Sequence, residues 1–379
     1  MSMMKSCLKP VPILAALMLL FASGCGASAT PIPTDTEVPP ATPAPEKATR
    51  AEVIQSLTAQ VILPGYKAAS DSMATLKQSV DALCSAPSDA GLDAARDAWR
   101  EARQAWLRTE SYRFGPAMDR RSISVVDWWP IDAGKIDRNL ASDDEVTVER
   151  VTEFLPATQR GMSVAEYLLF EQESVGLSDG SDSQRCSYLK AIATVVSDEL
   201  AGILTDWQGT ADSSGYASYF DGTGSLALID SDAEAEVVRS LVFQVRSIAN
   251  MRLGAGLGID QEVDASAIPT GGADHSREDL LSQLDSIASV YRGAEGGMGV
   301  SARVFAMSAE IDARMLTAIE ATITAARNLD GSIIAQLEGN PAQVRAVYDN
   351  MKELQRVLNT EIVSLLGVSV GFSDTDGDS

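Results

Sequence analysis

The chain has 379 residues and carries 30 Lys+Arg against 53 Asp+Glu, a formal net charge of −23. That balance repels nucleic acid and anionic headgroups, so no nucleic-acid partner is expected. A single histidine, His275, supports neither a Ser–His–Asp site nor a protease helix bearing two zinc-binding histidines.

In chain order, residues 1–24 read as a lipoprotein signal peptide. Lys5 and Lys9 precede the apolar run Val11 to Phe21, which is too short to span a bilayer, and "ASGC" closes on Cys25. Cys25 is the expected site of lipidation, a membrane anchor, and Gly26 after it favours the outer membrane. Residues 25–48 are a tether with six prolines between Gly26 and Lys47, a polyproline-like spacer reaching on the order of 60 Å. About 330 residues remain, enough for two ordinary domains.

From there the apolar spacing is helical. Residues 51–83 and 90–110 supply two helices. Leu189, Ile192, Val196, Leu200, Ile203 and Trp207 recur at steps of three and four, as do Val238, Leu241, Val242, Val245, Ile248 and Ala249. Leu280, Leu284, Ile287 and Tyr291 mark another helix, and residues 301–329 and 342–366 two more. The expected fold is all-α: two packed antiparallel helix bundles, 49–210 and 233–379, joined by a Gly/Ser/Asp-rich linker over 211–232, the second ending in an acidic tail. With Cys7 lost with the signal and Cys25 lipidated, Cys84 and Cys186 are expected to pair as a disulfide. The segment 114–137 is a long loop containing Trp128 and Trp129, which either plug the core or wall a pocket.

Six stretches in order carry a family resemblance: "ARDAWREARQAWLRTESYRFGP" (95–116), "DWWPID" (127–132), "RGMSVAEYLLF" (160–170), "RCSYLKAIA" (185–193), "NMRLG" (250–254) and "LGVSVGFSDTDGDS" (366–379). Together they resemble the imelysin family of exported bacterial proteins. The resemblance implies two helical bundles with a cleft between them, envelope residence and a part in iron acquisition. Founding members were described as insulin-cleaving metallopeptidases. The family signature is G-x-H-x-x-E: Gly161 and Glu166 match it, and Ser163 stands where the histidine belongs. A hydroxyl is a poor ligand for zinc or ferrous iron.

Glu166 admits two readings. With oxygens from Glu110, Asp127, Asp132 or Asp137 it could bind iron or another hard cation. Alternatively it pairs with Arg96, Arg100, Arg103 or Arg113. The arginine stripe 96–100–103 could face an anionic ligand or pair with Asp93, Asp97 and Glu101. Arg246 and Asn250, four apart on one helix face, are expected at the cleft through a buried amide network. His275 is expected at the surface or as a loop cap. The expected ligand-binding set is Gly161, Ser163, Glu166, Glu110, Arg103, Asp127, Trp128, Asp132, Arg246 and Asn250, with no catalytic residue. The tail "DTDGDS" (374–379) opens like a calcium loop but lacks its later ligands. The function these readings favour is a non-catalytic envelope binding protein for an iron-related ligand. The competing readings are a metallopeptidase with a rearranged site and an envelope scaffold contacting other proteins.

Overall fold

A computed structural model describes residues 48–171, 174–259 and 262–370. The signal peptide, Cys25, the tether up to Lys47 and the "DTDGDS" tail lie outside the described residues. Among those described, no helix is long and apolar enough to cross a membrane.

The chain is built almost entirely of helices. In the first half these are α1 (Arg50–Leu57), α2 (Leu63–Ser85), α3 (Asp89–Leu107), the short α4 (Pro116–Asp119), α5 (Ile123–Val126) and α6 (Ala133–Leu140), then α7 (Met162–Phe170), α8 (Val175–Ser178) and α9 (Ser183–Gln208). Side-chain caps set several starts: Ser88 Oγ accepts from Gly91 N at 3.1 Å before α3, and Asp182 accepts from Arg185 N at 2.9 Å before α9. Helix α2 lies between α3 and α9. Tyr66, Met73, Leu76, Trp99, Trp106, Ile192 and Trp207 fill the space among them and are fully buried. The apolar positions read at helical spacing along α9 are all inside.

The second half continues with α10 (Tyr216–Phe220), α11 (Asp230–Arg246), α12 (Ser276–Arg292), α13 (Val300–Met307), α14 (Ala309–Arg327), α15 (Ile333–Glu338), α16 (Ala342–Val357) and α17 (Val363–Leu366). Here α14 packs against α12 and α16, while α11 packs against α12 and α16. A π-helical stretch, Ser247–Gly254, extends α11.

Two features depart from the sequence reading. Helix α1 packs on α11 and α13 of the second half. The expected linker begins with a two-residue hairpin, Gly209–Thr210 against Ser213–Ser214, and then forms α10. Tyr216 and Phe220 of α10 lie 5.0 and 5.8 Å from the Trp207 ring, so aromatic packing fixes this stretch to the first half. The polar composition of 211–232 conceals those rings.

The halves join along α3, which packs on α12, and the described residues form one compact unit. Cys84 and Cys186 form the expected disulfide, tying α2 to α9 with Cα atoms 5.8 Å apart across a separation of 102 residues. At the amino-terminal end, Glu234 of α11 accepts from Arg50 at 2.7 Å and from Arg303 at 3.0 Å. Arg303 also donates to the Ala48 carbonyl at 2.9 Å.

Candidate functional site

The centre of the junction is Arg103, on the face of α3 turned toward the second half and only 2% exposed. Its Nε donates to Asp279 Oδ2 of α12 at 2.6 Å, and its Nη1 to Asp127 Oδ1 at 2.8 Å. Burial opposes a charge on Arg103, but Asp127, Asp279 and Glu166 around it hold the guanidinium above its usual range. Burial likewise pushes Asp127 up, yet Arg103, Arg113 and the Ser163 hydroxyl outweigh it and leave that carboxyl below the usual value. Asp279 is raised, because burial there exceeds the pull of Arg103. Its Oδ1 is buried without a hydrogen-bond partner among the described residues, and Asp279 lines a cavity of about 20 Å³ together with Arg252 and Gln283. That volume is about enough for one water.

The motif segment meets this centre through Gly161. Its φ is +86°, and a Cβ there would fall 2.7 Å from the Val126 carbonyl oxygen. Only glycine lets the start of α7 lie against the backbone that leads into Asp127. Ser163 Oγ then donates to Asp127 Oδ1 at 2.9 Å. The residue in the histidine position thus serves the carboxylate that pairs with Arg103.

Glu166, one helical turn on, is 5% exposed and accepts from the Ala273 backbone N–H at 2.9 Å. Burial pushes its carboxyl up to about 7, against the opposing influence of Arg103 and the Ala273 amide. None of Arg96, Arg100, Arg103 and Arg113 forms the expected ion pair with it. Arg96 instead donates to the Leu169 carbonyl at 2.8 Å, and the Arg100 guanidinium sits 4.9 Å from the Phe170 ring centre. The outer part of the stripe therefore clamps α7. Arg96 and Arg100 also meet Asp93 and Asp97, whereas Arg103 turns inward rather than to Glu101.

His275 is buried, contrary to the surface role expected. The loop before α12 carries it to Gln104 of α3, whose Nε2 lies 3.0 Å from the histidine Nε2. With the amide donating, the proton rests on Nδ1, 3.9 Å from Glu278 Oε2. Burial lowers its basicity, and Arg100 and Arg103 add to that, against Asp279 and Glu278.

A second polar layer lies beside the first. Glu110 accepts from Arg252 at 3.1 Å and from Gln283 at 2.7 Å. The Ser111 amide donates to Ser286 Oγ at 2.9 Å, and the Ser111 hydroxyl bonds Gln244. Arg103, Asp127, Ser163, Glu166 and Glu110, all in the expected set, thus lie together at the junction.

Four expected residues are not. Trp128 is 40% exposed, while Trp129 donates to the Ser266 carbonyl. Asp132 caps α6 through the Lys135 amide. Asn250 is exposed and accepts from Lys352, and Arg246 is exposed too. Arg252, within the π stretch, is the residue of this helix that reaches the first half, through Glu110, in place of the expected Arg246 and Asn250. Asp279, Gln283 and Ser286 were missed, although their spacing of four and three beside the apolar stripe of α12 marks a polar ridge on a buried face.

A resident metal does not fit this arrangement. Among the described residues no three His, Cys, Asp or Glu side chains converge to hold an ion, and the guanidinium of Arg103 fills the space between Asp127 and Asp279.

Comparison with known proteins agrees with this architecture. In sequence, the chain is 29% identical over 245 residues to "Iron-regulated protein A" of Synechococcus elongatus, covering 64% of each. In structure, it matches a protein described as an iron-regulated protein A precursor from Parabacteroides distasonis, with a TM-score of 0.73 at 19% identity, over 85% of this chain and 97% of that one. An imelysin-like protein from Psychrobacter arcticum matches with a TM-score of 0.69 at 18% identity over the same shares. At these identities the structures establish the fold alone. The Imelysin (Peptidase M75) family model matches residues 62–359, most of the chain, and with the glycine and glutamate of the signature in place, this chain belongs to the imelysin family.

Proposed function

We propose that the protein is an envelope lipoprotein, anchored through Cys25 and directed to the outer membrane, that binds an iron-related ligand at the seam between its halves without catalysing a reaction. The observation that carries this reading is the Arg103 cluster. Four separate segments deliver one guanidinium and three carboxyl groups to a buried position, where apolar side chains of the same volume would hold the halves together as well or better. An arrangement so costly in desolvation argues for a use other than stability. Asp127, Asp279 and Glu166 offer only oxygen, the donor that ferric iron and other hard cations prefer. These carboxyl groups do not converge on an ion while Arg103 stands between them, so such a cation enters only as cargo, after Arg103 swings aside and lets them close on it. The name of the Synechococcus relative supports the link to iron.

Catalysis finds little support in the groups present. His275 faces Gln104 rather than a nucleophile, and the position that supplies imidazole in the signature holds a hydroxyl committed to Asp127.

The test is retention of iron by the full chain, purified in detergent and incubated with ferric citrate. One equivalent is expected in the wild type and none in Asp127→Asn or Glu166→Gln. Retention strengthens as pH rises through about 7, because a cation must displace the Glu166 proton. Iron-free wild type would leave the scaffold reading in its place. Metal-dependent cleavage of insulin B chain that vanishes in Glu166→Ala would make the protein a peptidase.

A further inference from the structure

Outside the buried cluster, the seam between α3, α12 and α14 opens into a cleft of about 300 Å³. Leu281 and Ile323 form its apolar floor, and Arg108, Arg327, Glu278 and Asp285 its charged walls. None of Arg103, Asp127, Ser163 and Glu166 lines it, so the cleft is a separate site from the iron-binding seam proposed above.

The charges in this cleft are held loosely. Arg108 approaches Asp285 at 3.3 Å with both side chains about half exposed, and Glu278 lies 3.8 Å from Arg277 and 3.9 Å from His275. Arg327 ends α14 at the cleft rim, and no carboxylate among the described residues pairs with it. Within the buried cluster the ion pairs are instead 2.6 and 2.8 Å long. Exposed pairs of the looser kind contribute little, so a ligand can exchange into them at little cost. Two guanidiniums disfavour a simple cation, and two carboxylates disfavour a polyanion. What satisfies all four, over an apolar floor and in a volume at the low end of small-molecule pockets, is a small zwitterion with an apolar side chain.

From this geometry we infer that the cleft binds a short apolar peptide or amino acid with both termini free. The carboxylate sits against Arg327 and Arg108, the ammonium against Glu278 and Asp285, and the side chain on Leu281 and Ile323. Arg108 donates to Gln104 Oε1 at 3.2 Å, and the same amide touches His275. Engaging Arg108 therefore alters the surroundings of the chain's one histidine, whose imidazole resonances are an unambiguous reporter.

The experiment titrates L-leucyl-L-leucine into the full chain in detergent, read by calorimetry and by the His275 imidazole signals. Saturable binding with a moving histidine resonance is expected. N-acetylated, C-amidated peptide should bind at least tenfold more weakly, as should the free peptide to the exposed-site variant Arg327→Ala. Glu166→Gln should bind as the wild type does. Absence of saturation at millimolar peptide, equal binding of the blocked form, or wild-type affinity in Arg327→Ala would each overturn the inference. Loss of binding in Glu166→Gln alone would move the ligand to the buried cluster, and overturn it as well.

Discussion

At the scale of single residues, Glu166 and Gly161 make opposite kinds of commitment. Glu166 holds its proton in the folded state up to about pH 7, whereas in the unfolded chain it ionises near 4.3. Stability from this group is therefore complete below its unfolded value and drains away as pH climbs to about 7, on the order of 3 kcal/mol in all. Glu166→Gln keeps an uncharged acceptor for the Ala273 amide and removes this dependence. The melting-temperature advantage of the variant should grow between about pH 5 and pH 8, and an advantage constant with pH would refute the burial argument. Gly161→Ala adds a Cβ at a positive φ against the Val126 carbonyl, and should cost about 2 kcal/mol or more in urea unfolding. Of these two residues the sequence declared the motif but not its purpose. The glycine was legible as a signature position, while its reason, a backbone contact with residues 125–126, exists only once the chain is folded.

At the scale of elements, α3 and α12 are joined by Arg103 and Asp279, with Asp127 at the end of α5 as the second partner of the arginine. Truncating the arginine strands two buried carboxylates, so Arg103→Met should lose about 3–5 kcal/mol, and adding Asp127→Asn and Asp279→Asn should recover most of it. A triple variant no more stable than the single one would show that the cluster is not the source of the loss. The long helices were readable because apolar spacing is local, whereas the short α4, α5, α6 and α10, in or beside stretches read as loop and linker, were not. Cross-helix partners were not: Arg103 and Asp279 are 176 positions apart, and no local pattern links them. Spacing did mislead along the π-helical Ser247–Gly254, where Arg252 reaches Glu110 of the first half while Asn250 turns out to Lys352.

At the scale of the whole molecule, the Cys84–Cys186 bridge closes a loop of 102 residues and should contribute about 4 kcal/mol. Calorimetry of a Cys84→Ala/Cys186→Ala double variant should show a lower melting temperature than the oxidised wild type, and one that reductant no longer changes. This pairing was legible by elimination among four cysteines. The linker was misread for the converse reason, since Tyr216 and Phe220 sit within a polar stretch that hides their packing on Trp207. The ion-paired clasp at the amino-terminal end has a mechanical meaning. A pull delivered along the chain at Ala48 reaches Arg303 through the carbonyl it holds and reaches Glu234 through both Arg303 and Arg50. Tension is shared between α11 and α13, two helices distant in sequence, instead of falling on the first turn of α1 alone.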